Sequence, residues 1–480
     1  MKQLNELTII EALEGLKQKT FTSVALTQAC FEQIEKYDDV VKAFVTLVKD
    51  RALAEAEEAD LLINSHGPEI FEEKPLLGIP YACKDNYSTK GVQTTASSNM
   101  LKGYIPPYES TVTQKLKDAG AVMLGKTNMD AFAHGSSTET SDFFKTINPW
   151  NKNKVPGGSS GGSASAVMSD MCIFSTGSET AGSIRGPAAW CGASGFKPTY
   201  GRVSRYGVVA MASSTDSPGP IAKTIEDASY VLKIIAGKDP LDATSSPTEV
   251  EDYFANLNNI DLSKIKIGKP KSYFEIELEP GVREKVEQAI EKFKELGAQI
   301  VEMDLLSPKY SIGVYTILQR SEVSSNLARL DGIRYGNDRT NFGFESKKRI
   351  MLGTYTLSAG YYDAYYSKAQ KVRTLIVDDF NKAFNEVDMI IGPTMPCVAL
   401  NLGDPEKSPM FGELMDVLAE PSAIAGLPGI SIPCGLSDNM PVGVQLIGKH
   451  FDENKLGAVA YAFQKATDYH LNKPNLEGLK

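Results

Sequence analysis

The sequence predicts an α/β fold, and three observations support that class. Amphipathic helical stretches alternate with short apolar strands from about residue 75 to the C-terminal region. The 480 residues are 42% hydrophobic and 23% charged, which is average globular composition and allows a sizeable core in one or two domains. Ten glycines lie between positions 155 and 201, a density that indicates close backbone approach. We therefore expect the functional centre in this glycine-rich stretch, residues 155–201.

The first part of the chain is predicted to be a helical layer followed by the start of a sheet. Within residues 1–65, Thr22 opens an N-cap signal before ALTQACFEQIEKY, and DRALAEAEEADLLI is amphipathic and rich in Ala and Glu. A short buried strand is expected over 75–82, where it delivers Lys84. Ser110 then caps the helix TVTQKLKDAG, which leads into the strand AVMLG. This succession is the beginning of an α/β alternation.

The alternation resumes after the glycine-rich stretch. Predicted strands are IGKPK near residue 267, AQIVEMDL, VDMIIG, ISIP and GVQLIG. Predicted helices cover residues 282–297, 312–329, 367–386, 415–425 and 453–467. Residues 237–262 are polar and indicate a surface excursion rather than a linker.

Composition excludes several classes of function. The net charge of −10 provides no basic surface for a phosphate backbone, so any nucleic-acid contact would need a partner. No run of eighteen apolar residues occurs, and the N-terminus has neither the apolar core nor the cleavage site of a secretory signal. The six cysteines form no C-x-x-C motif, which is typical of reduced thiols. We expect a cytoplasmic protein.

Two motif matches do not fit their structural context. Residues 120–127 (GAVMLGKT) match a phosphate-binding loop, but the residues that should form the loop are the predicted strand itself. Residues 157–161 (GGSSG) match the nucleophile elbow G-x-S-x-G, which needs a downstream histidine. Only His450 and His470 lie downstream, and both look like exposed element ends. No histidine, cysteine or carboxylate pair has metal-ligand spacing, so we predict no metal site.

With histidine scarce, a hydroxyl nucleophile needs a different base. Ser159 and Ser183 are the candidate hydroxyls in the glycine-rich stretch, and Lys84 follows the apolar run PLLGIPYAC. Lysine accepts a proton only when neutral, so burial would have to lower its pKa from about 10.4 to roughly 7–8. Serine–lysine arrangements are a known variant of the catalytic triad. From the residues alone, a solvated or salt-bridged Lys84 is the competing interpretation.

Three motifs together resemble the amidase signature family: GIPYACKDNY, PGGSSGGS and GSETAGSIRGPAAWCG. The family uses a Ser-cisSer-Lys triad. Matched by motif, the resemblance implies that Lys84 is the base, Ser159 the bridging serine after a cis peptide bond, and Ser183 the nucleophile. It also implies an oxyanion hole formed by the backbone N–H groups of Thr180, Ala181 and Gly182.

The resemblance further implies one α/β/α domain over residues 1–480, with a large mixed central sheet and outer helical layers. In this scheme residues 1–70 are the N-terminal helical layer and residues 71–225 are the catalytic signature core. Residues 226–480 then supply the rest of the sheet, further helices and the substrate pocket.

Longer segments resemble one branch of the family, the ammonia-producing subunit of a three-subunit, tRNA-dependent amidotransferase. They include TSDFFKTINPW, GFKPTYGRVSRYGVVAMASS, SSNLARLDGIRYG and GYYDAYYSKAQKVRTLI. This resemblance implies glutamine as the substrate and a heterotrimer with B and C subunits. It implies that the B subunit uses ATP and Mg to activate Glu-tRNA(Gln), with no cofactor on this chain and no membrane contact.

Substrate contacts also follow from this resemblance. Arg349 in KKRIMLG would bind the glutamine α-carboxylate, and Asp416 in LMDVLAEP would bind its α-amine. From the residues alone, we would interpret both as surface charges. Two alternatives stay open: a stand-alone amidase on another small amide, which would not need this pair, and a catalytically silent assembly subunit, which would release no ammonia.

The chain departs from the family pattern at three places. Glu179-Thr180-Ala181-Gly182 stands where the family usually has aspartate-threonine-glycine-glycine, so a positive φ at Ala181 would bring strain. His134 stands where methionine is usual, either as a polar packing residue or as a residue that tunes the site. The stretch 336–349 is shorter than usual, which bears on the partner-facing surface more than on the chemistry.

Overall fold

A mixed sheet of eleven strands runs through the molecule. The computed structural model describes residues 2–408 and 410–480. The strands are β1 Phe44–Leu47, β2 Pro80–Lys84, β3 Val122–Thr127, β4 Phe174–Glu179, β5 Ser194–Lys197, β6 Ser217–Ala222, β7 Lys266–Pro270, β8 Gln299–Met303, β9 Met389–Pro393, β10 Gly429–Ser437 and β11 Met440–Gly448. Their spatial order is β1-β3-β2-β4-β6-β5-β10-β11-β9-β7-β8.

Parallel pairs lie towards the two ends of the sheet, and antiparallel pairs join them. Strand β2 is parallel to both β3 and β4, and β7 is parallel to both β8 and β9. The pairs β1–β3, β4–β6, β6–β5, β5–β10, β10–β11 and β11–β9 are antiparallel. The predicted α/β class with a large mixed sheet is confirmed.

Sixteen α-helices occur in the described residues. They are α1 Ile9–Lys17, α2 Ser23–Val41, α3 Lys49–His66, α4 Ile70–Glu73, α5 Thr111–Asp118, α6 Gly161–Met168, α7 Arg185–Cys191, α8 Ile225–Ile235, α9 Lys271–Phe274, α10 Pro280–Glu295, α11 Lys309–Leu327, α12 Phe344–Leu357, α13 Lys368–Ala383, α14 Phe411–Met415, α15 Glu420–Ile424 and α16 Glu453–Lys465.

The helices cover both faces of the sheet. In β3, Val122 and Leu124 belong to one hydrophobic cluster and Met123 to another, as expected when successive side chains of a strand point to opposite faces. The first cluster includes buried residues of α2, α3, α6 and α7, and the second includes residues of α1, α5, α8, α10 and α16. The outer helical layers implied by the family resemblance are therefore present.

Local signals set several element boundaries. The hydroxyls of Thr22 and Ser110 accept hydrogen bonds from the backbone N–H groups of Ala25 and Thr113, which confirms both predicted N-caps. The helix predicted over 415–425 is wrong as a continuous α-helix, because a 3-10 helix over Asp416–Leu418 separates α14 from α15. Pro421 lies in the first turn of α15, where its missing N–H is tolerated.

The interpretation of residues 1–65 as purely helical is also wrong. Residues 44–47 form β1, which pairs antiparallel with β3 and places an N-terminal segment at the edge of the sheet. Four residues are too few to show a clear period of two in the sequence. The strand predicted over 75–82 lies later, at Pro80–Lys84, so Lys84 is its last residue and does not follow it as predicted. The division into one domain with three sections stays a prediction.

The rejected phosphate-loop match is a strand, as expected. Residues 122–127 are β3, and the Lys126 amine is fully buried. Its Nζ donates to the Tyr87 carbonyl at 2.7 Å and the Thr94 hydroxyl at 2.8 Å, and it lies 3.4 Å from Asp85 Oδ1. These contacts give Lys126 a structural role inside the sheet layer.

Gly162 allows helix α6 to pack closely against neighbouring backbone, and a pair of glycine substitutions tests this. A Cβ added to Gly162 would lie 2.3 Å from the Asn128 carbonyl oxygen and 2.8 Å from that of Ala43, both backbone atoms. Gly162→Ala should therefore lower the free energy of unfolding by about 1–3 kcal/mol or more. Gly313→Ala in α11, where an added Cβ meets no described atom within 4 Å, should raise it by up to about 1 kcal/mol. Urea denaturation of both variants measures the difference, and equal effects would contradict this account of α6.

Candidate active site

The Lys84 side chain is buried among hydroxyl groups. It ends β2 and has no solvent exposure. Its Nζ lies 2.8 Å from Ser159 Oγ and 2.7 Å from Ser160 Oγ. It also lies 3.1 Å from the Ser178 carbonyl oxygen and 3.0 Å from Ser178 Oγ. A solvated lysine, the competing interpretation, does not fit this burial.

The hydrogen-bond partners limit how a neutral Lys84 amine can be oriented. The Ser178 carbonyl can only accept a hydrogen bond, and Ser160 Oγ uses its own hydrogen to donate to that carbonyl at 3.3 Å. The Ser178 carbonyl oxygen and Ser160 Oγ therefore accept hydrogen bonds from both N–H groups of a neutral lysine amine. Its lone pair is left for the hydroxyl of Ser159 or Ser178. The arrangement can thus receive a proton from Ser159.

Burial provides the neutral amine that this arrangement requires. Burial lowers the pKa of Lys84 to about 7, while the more distant carboxylates of Asp130, Asp216 and Glu179 oppose the shift. No carboxylate in the described part of the chain hydrogen-bonds to Nζ. About half of the lysine amines would therefore be unprotonated near neutral pH.

Ser183 lies in the loop between β4 and α7 and is almost fully buried. Its backbone carbonyl accepts a hydrogen bond from the N–H of Ser160 at 3.3 Å, which links the two serine segments. The peptide bond between Gly158 and Ser159 is cis, as the resemblance implied. Within the residues that the structure describes, Ser183 Oγ makes no hydrogen bond. The structure thus joins Lys84 directly to Ser159, and joins Ser183 to the neighbouring segment through its backbone.

The loop before Ser183 presents free backbone donors. Within the described residues, the N–H groups of Thr180, Ala181, Gly182 and Ser183 donate no hydrogen bond. Four consecutive unpaired N–H groups in a buried loop form a ready site for a negatively charged oxygen. Ala181 does not have a positive φ, so the strain considered for its methyl group does not arise.

A buried ion pair holds this loop. Glu179 Oε2 accepts the N–H groups of Ile184 and Arg185 at 3.0 Å each, and Arg185 Nη2 lies 2.6 Å from Glu179 Oε1. The same Nη2 donates to the Ala181 carbonyl at 3.1 Å. Sequence reasoning did not single out Arg185. A signal was present, because Asp170, Glu179 and Arg185 are the only charged residues between positions 155 and 196.

Arg349 and Asp416 are buried, so interpreting them as surface charges is wrong. Arg349 lies on α12 and lines a cavity of about 560 Å³ together with Ser136 and Glu413. Its Nε donates to Glu345 Oε1 at 2.7 Å, which fixes the guanidinium and leaves the two Nη groups out of that bond. Sequence reasoning did not single out Glu345, although its i,i+4 spacing to Arg349 is a readable signal for an ion pair on a helix.

Asp416 connects this cavity to the loop before Ser183. Its Oδ2 accepts a hydrogen bond from Ser136 Oγ at 2.6 Å, and Ser136 lines the cavity. A Cβ added to Gly182 would lie 2.4 Å from Asp416 Oδ1, so this oxygen faces the loop. Oδ1 has no hydrogen-bond partner in the described residues. Burial raises the pKa of Asp416 to about 8.

The two downstream histidines lie outside the hydrogen-bond network of the serine segments in the part of the chain that the structure describes. His450 Nε2 lies 3.0 Å from the Ala425 carbonyl oxygen, and in the described residues neither it nor His470 hydrogen-bonds to a serine of the glycine-rich stretch. No group of three or more metal-ligating side chains occurs in residues 2–408 and 410–480. Over the same residues, no helix is both long enough and apolar enough to span a bilayer.

Known proteins are similar in sequence to this chain over nearly its whole length. The sequence model of the amidase family matches residues 25–456. The chain is 48% identical over 489 aligned residues to the A subunit of glutamyl-tRNA(Gln) amidotransferase from Carboxydothermus hydrogenoformans, covering 99% of this chain and 100% of that protein. It is 47% identical to the corresponding protein of Thermoanaerobacter pseudethanolicus, with 100% of both chains covered.

Solved structures agree with these relatives. The crystal structure of the A subunit of glutamyl-tRNA(Gln) amidotransferase from Thermotoga maritima matches with a TM-score of 0.81 and 40% identity, covering 97% of this chain and 95% of that one. A bacterial aryl acylamidase of the amidase signature family matches with a TM-score of 0.86 and 26% identity, covering 97% of each chain. The chain therefore belongs to the amidase signature family and is an enzyme with amidohydrolase chemistry.

Proposed function

We propose that this chain is the glutaminase subunit of a Glu-tRNA(Gln) amidotransferase and that it releases ammonia from glutamine. One observation carries the proposal. The Lys84 amine is fully buried against Ser159 without a carboxylate partner, beside a loop of unpaired N–H groups that ends at Ser183. Full-length similarity to the amidotransferase A subunits supports the choice of substrate.

In the proposed reaction, the three side chains move one proton back and forth. Ser183 Oγ attacks the side-chain carbonyl carbon of glutamine, Ser159 takes the Ser183 proton, and the Ser159 hydrogen passes to Lys84. The proton then returns through Ser159 to the leaving nitrogen, the C–N bond breaks, and ammonia departs. Water attacks the acyl-enzyme by the same relay, which gives glutamate and restores Ser183.

The loop at 180–182 would stabilise the negatively charged oxygen of each tetrahedral intermediate. Its N–H groups are already unpaired, so they need not break other hydrogen bonds during the reaction. Each such donor contributes about 3 kcal/mol to the transition state. Arg185 and Glu179 act as positioning residues, because they hold the loop at Ala181 and at the start of α7.

Arg349 and Asp416 would bind the two charged ends of glutamine. The Nη groups of Arg349 would donate hydrogen bonds to the α-carboxylate, and Asp416 Oδ1 would accept a hydrogen bond from the α-ammonium group. An unpaired carboxylate with a raised pKa suits this role, because an ammonium ion favours its charged form.

Similarity to the amidotransferase A subunits extends the proposal to an assembly. The B and C subunits would complete a cytoplasmic heterotrimer, in which the B subunit would bind ATP and Mg while this chain would hold no cofactor. Ammonia from this site would convert Glu-tRNA(Gln) into Gln-tRNA(Gln) on the partner. Co-purification of all three subunits, with glutamine-dependent transamidation by the complex, tests this part.

Replacing Lys84 tests the base. Lys84→Ala and Lys84→Arg should both abolish glutaminase activity, since arginine does not give up its proton and alanine has no group that accepts one. His450→Ala and His470→Ala are matched controls and should stay within a few-fold of wild type. Ammonia release assays measure all four variants. Substantial activity in Lys84→Arg would contradict the role of Lys84 as the base. A loss of activity of about 10³-fold in a histidine variant would instead favour a catalytic triad that uses histidine.

The pH dependence tests Lys84 and Asp416 together. The free enzyme needs neutral Lys84, with a pKa of about 7, and ionised Asp416, with a pKa of about 8. Both requirements are met as pH rises, so kcat/KM for glutamine should fall below about pH 8 and more steeply below about pH 7. The kcat profile should lose the Asp416 step, because bound glutamine holds that carboxylate ionised. In the Asp416→Asn variant, the pH profile of kcat/KM should show one ionisation fewer than in wild type. A pH profile that is equally steep in both proteins would argue against the role of Asp416.

The donor dependence of transamidation tests Arg349. Arg349→Ala should lower kcat/KM for glutamine by roughly 10- to 150-fold, the effect of one charge-assisted contact of about 1.5–3 kcal/mol. Transamidation with ammonium should fall much less, because ammonium bypasses this site. Arg334→Ala, at an exposed position, is the control. Equal loss with both donors would instead place Arg349 in assembly or stability.

A further inference from the structure

A buried ion pair that the proposed mechanism does not use lies at the wall of the cavity that contains Arg349. Arg320, on α11, donates a hydrogen bond through Nη2 to Glu413 Oε1, on α14. The two side chains are only 6% and 4% exposed, and Glu413 lines the cavity. A buried ion pair is often no more stabilising than apolar side chains of similar volume. Stability alone therefore does not account for this pair.

The charge of Glu413 also acts on Arg349. Burial alone would raise the pKa of the Glu413 carboxyl, but the guanidinium groups of Arg320 and Arg349 lower it below its usual value. Burial alone would lower the pKa of Arg349, and the carboxylates of Glu345 and Glu413 raise it. Glu413 is therefore ionised at neutral pH and lies close enough to Arg349 for the two charges to interact.

The hydrogen bonds give each arginine its own carboxylate. Arg320 donates to Glu413, and Arg349 Nε donates to Glu345. Within the described residues, no hydrogen bond joins Glu413 to Arg349. Without the charge of Arg320, the Glu413 carboxylate would keep its attraction to Arg349 and lose its own partner. It would then compete with any carboxylate that a ligand brings to Arg349.

We infer that Arg320 is a positioning residue that acts through Glu413: by neutralising this carboxylate, it keeps Arg349 available for the α-carboxylate of glutamine. The inference rests on the proposed function, because it assumes that Arg349 binds that carboxylate. Arg320 itself contacts neither the substrate nor the reacting atoms. The competing interpretation is mechanical, since the same ion pair also fixes α14 against α11.

A cycle of charge-changing variants in the assembled complex separates the two interpretations. Arg320→Met leaves the Glu413 charge unpaired, and Arg320→Met/Glu413→Gln removes both charges. Arg320→Met should raise the KM for glutamine roughly tenfold, with a smaller change in kcat, because an unpaired charge in a buried wall is poorly screened. The double variant should return the KM to within a few-fold of wild type. The conservative variant Arg320→Lys, which keeps the charge, should do the same.

The outcomes distinguish this inference from the proposed function. If wild type releases ammonia from glutamine but Arg320→Met has an unchanged KM, the inference fails and the proposed function stands. If wild type does not hydrolyse glutamine in the complex, both fail. A double variant with a KM as high as that of Arg320→Met would also overturn the inference, because a lost mechanical contact is not restored by removing its second partner.

Thermal unfolding checks the fold of each variant. If Arg320→Met is unfolded, Glu413→Gln decides. This variant removes the negative charge beside Arg349 and keeps a side chain that can accept a hydrogen bond from Arg320. Its KM for glutamine should fall below that of wild type, and an equal or higher KM would overturn the inference.

Discussion

The candidate active site depends on one constraint, a buried lysine amine that hydrogen-bonds to no carboxylate in the described residues. Two other buried lysines show why both conditions matter. Lys197 is fully buried, and burial lowers its pKa to about 7, but its Nζ donates only to backbone carbonyls. Lys126 contacts the hydroxyl of Thr94 but also lies 3.4 Å from a carboxylate oxygen of Asp85. Of these three, Lys84 alone combines a lowered pKa with serine hydroxyls that can pass a proton.

The glycine-rich stretch makes this burial possible. Because Gly161 and Gly162 lack side chains, α6 starts close to the Thr138 side chain and to the backbone of Asn128, and Ser159 and Ser160 lie at the end of β2. The Glu179–Arg185 pair then holds the next loop, so its N–H groups stay unpaired instead of folding into a helix turn. Close packing and a fixed ion pair thus bring the serine hydroxyls and the unpaired N–H groups of the proposed reaction together in the same glycine-rich region.

Sequence reasoning reached the parts of the site that local motifs encode. The strand that ends at Lys84 follows from a short apolar run, and the cap at Ser110 follows from local hydroxyl chemistry. The glycine-rich stretch marked the region of Ser159 and Ser183, whose proposed roles came from the family resemblance. Sequence reasoning could not reach Ser136 or Ser178, since their contacts with Asp416 and Lys84 depend on how distant segments pack. The burial of Arg349 and Asp416 likewise arises only when α12 and the segment after α14 close over the cavity.

Charge pairing in the cavity explains what kind of substrate it favours. Arg349 is paired with Glu345, and Arg320 is paired with Glu413, so these four charges balance one another. Asp416 stands apart, with one oxygen held by Ser136 and the other unpaired. In the proposed reaction, an ammonium group on the substrate would compensate the charge of ionised Asp416, and a carboxylate would meet Arg349, with Lys348 also lining the cavity. In the proposed reaction, hydrolysis turns the side-chain amide into a second carboxylate near Asp416, and the resulting repulsion favours release of the product.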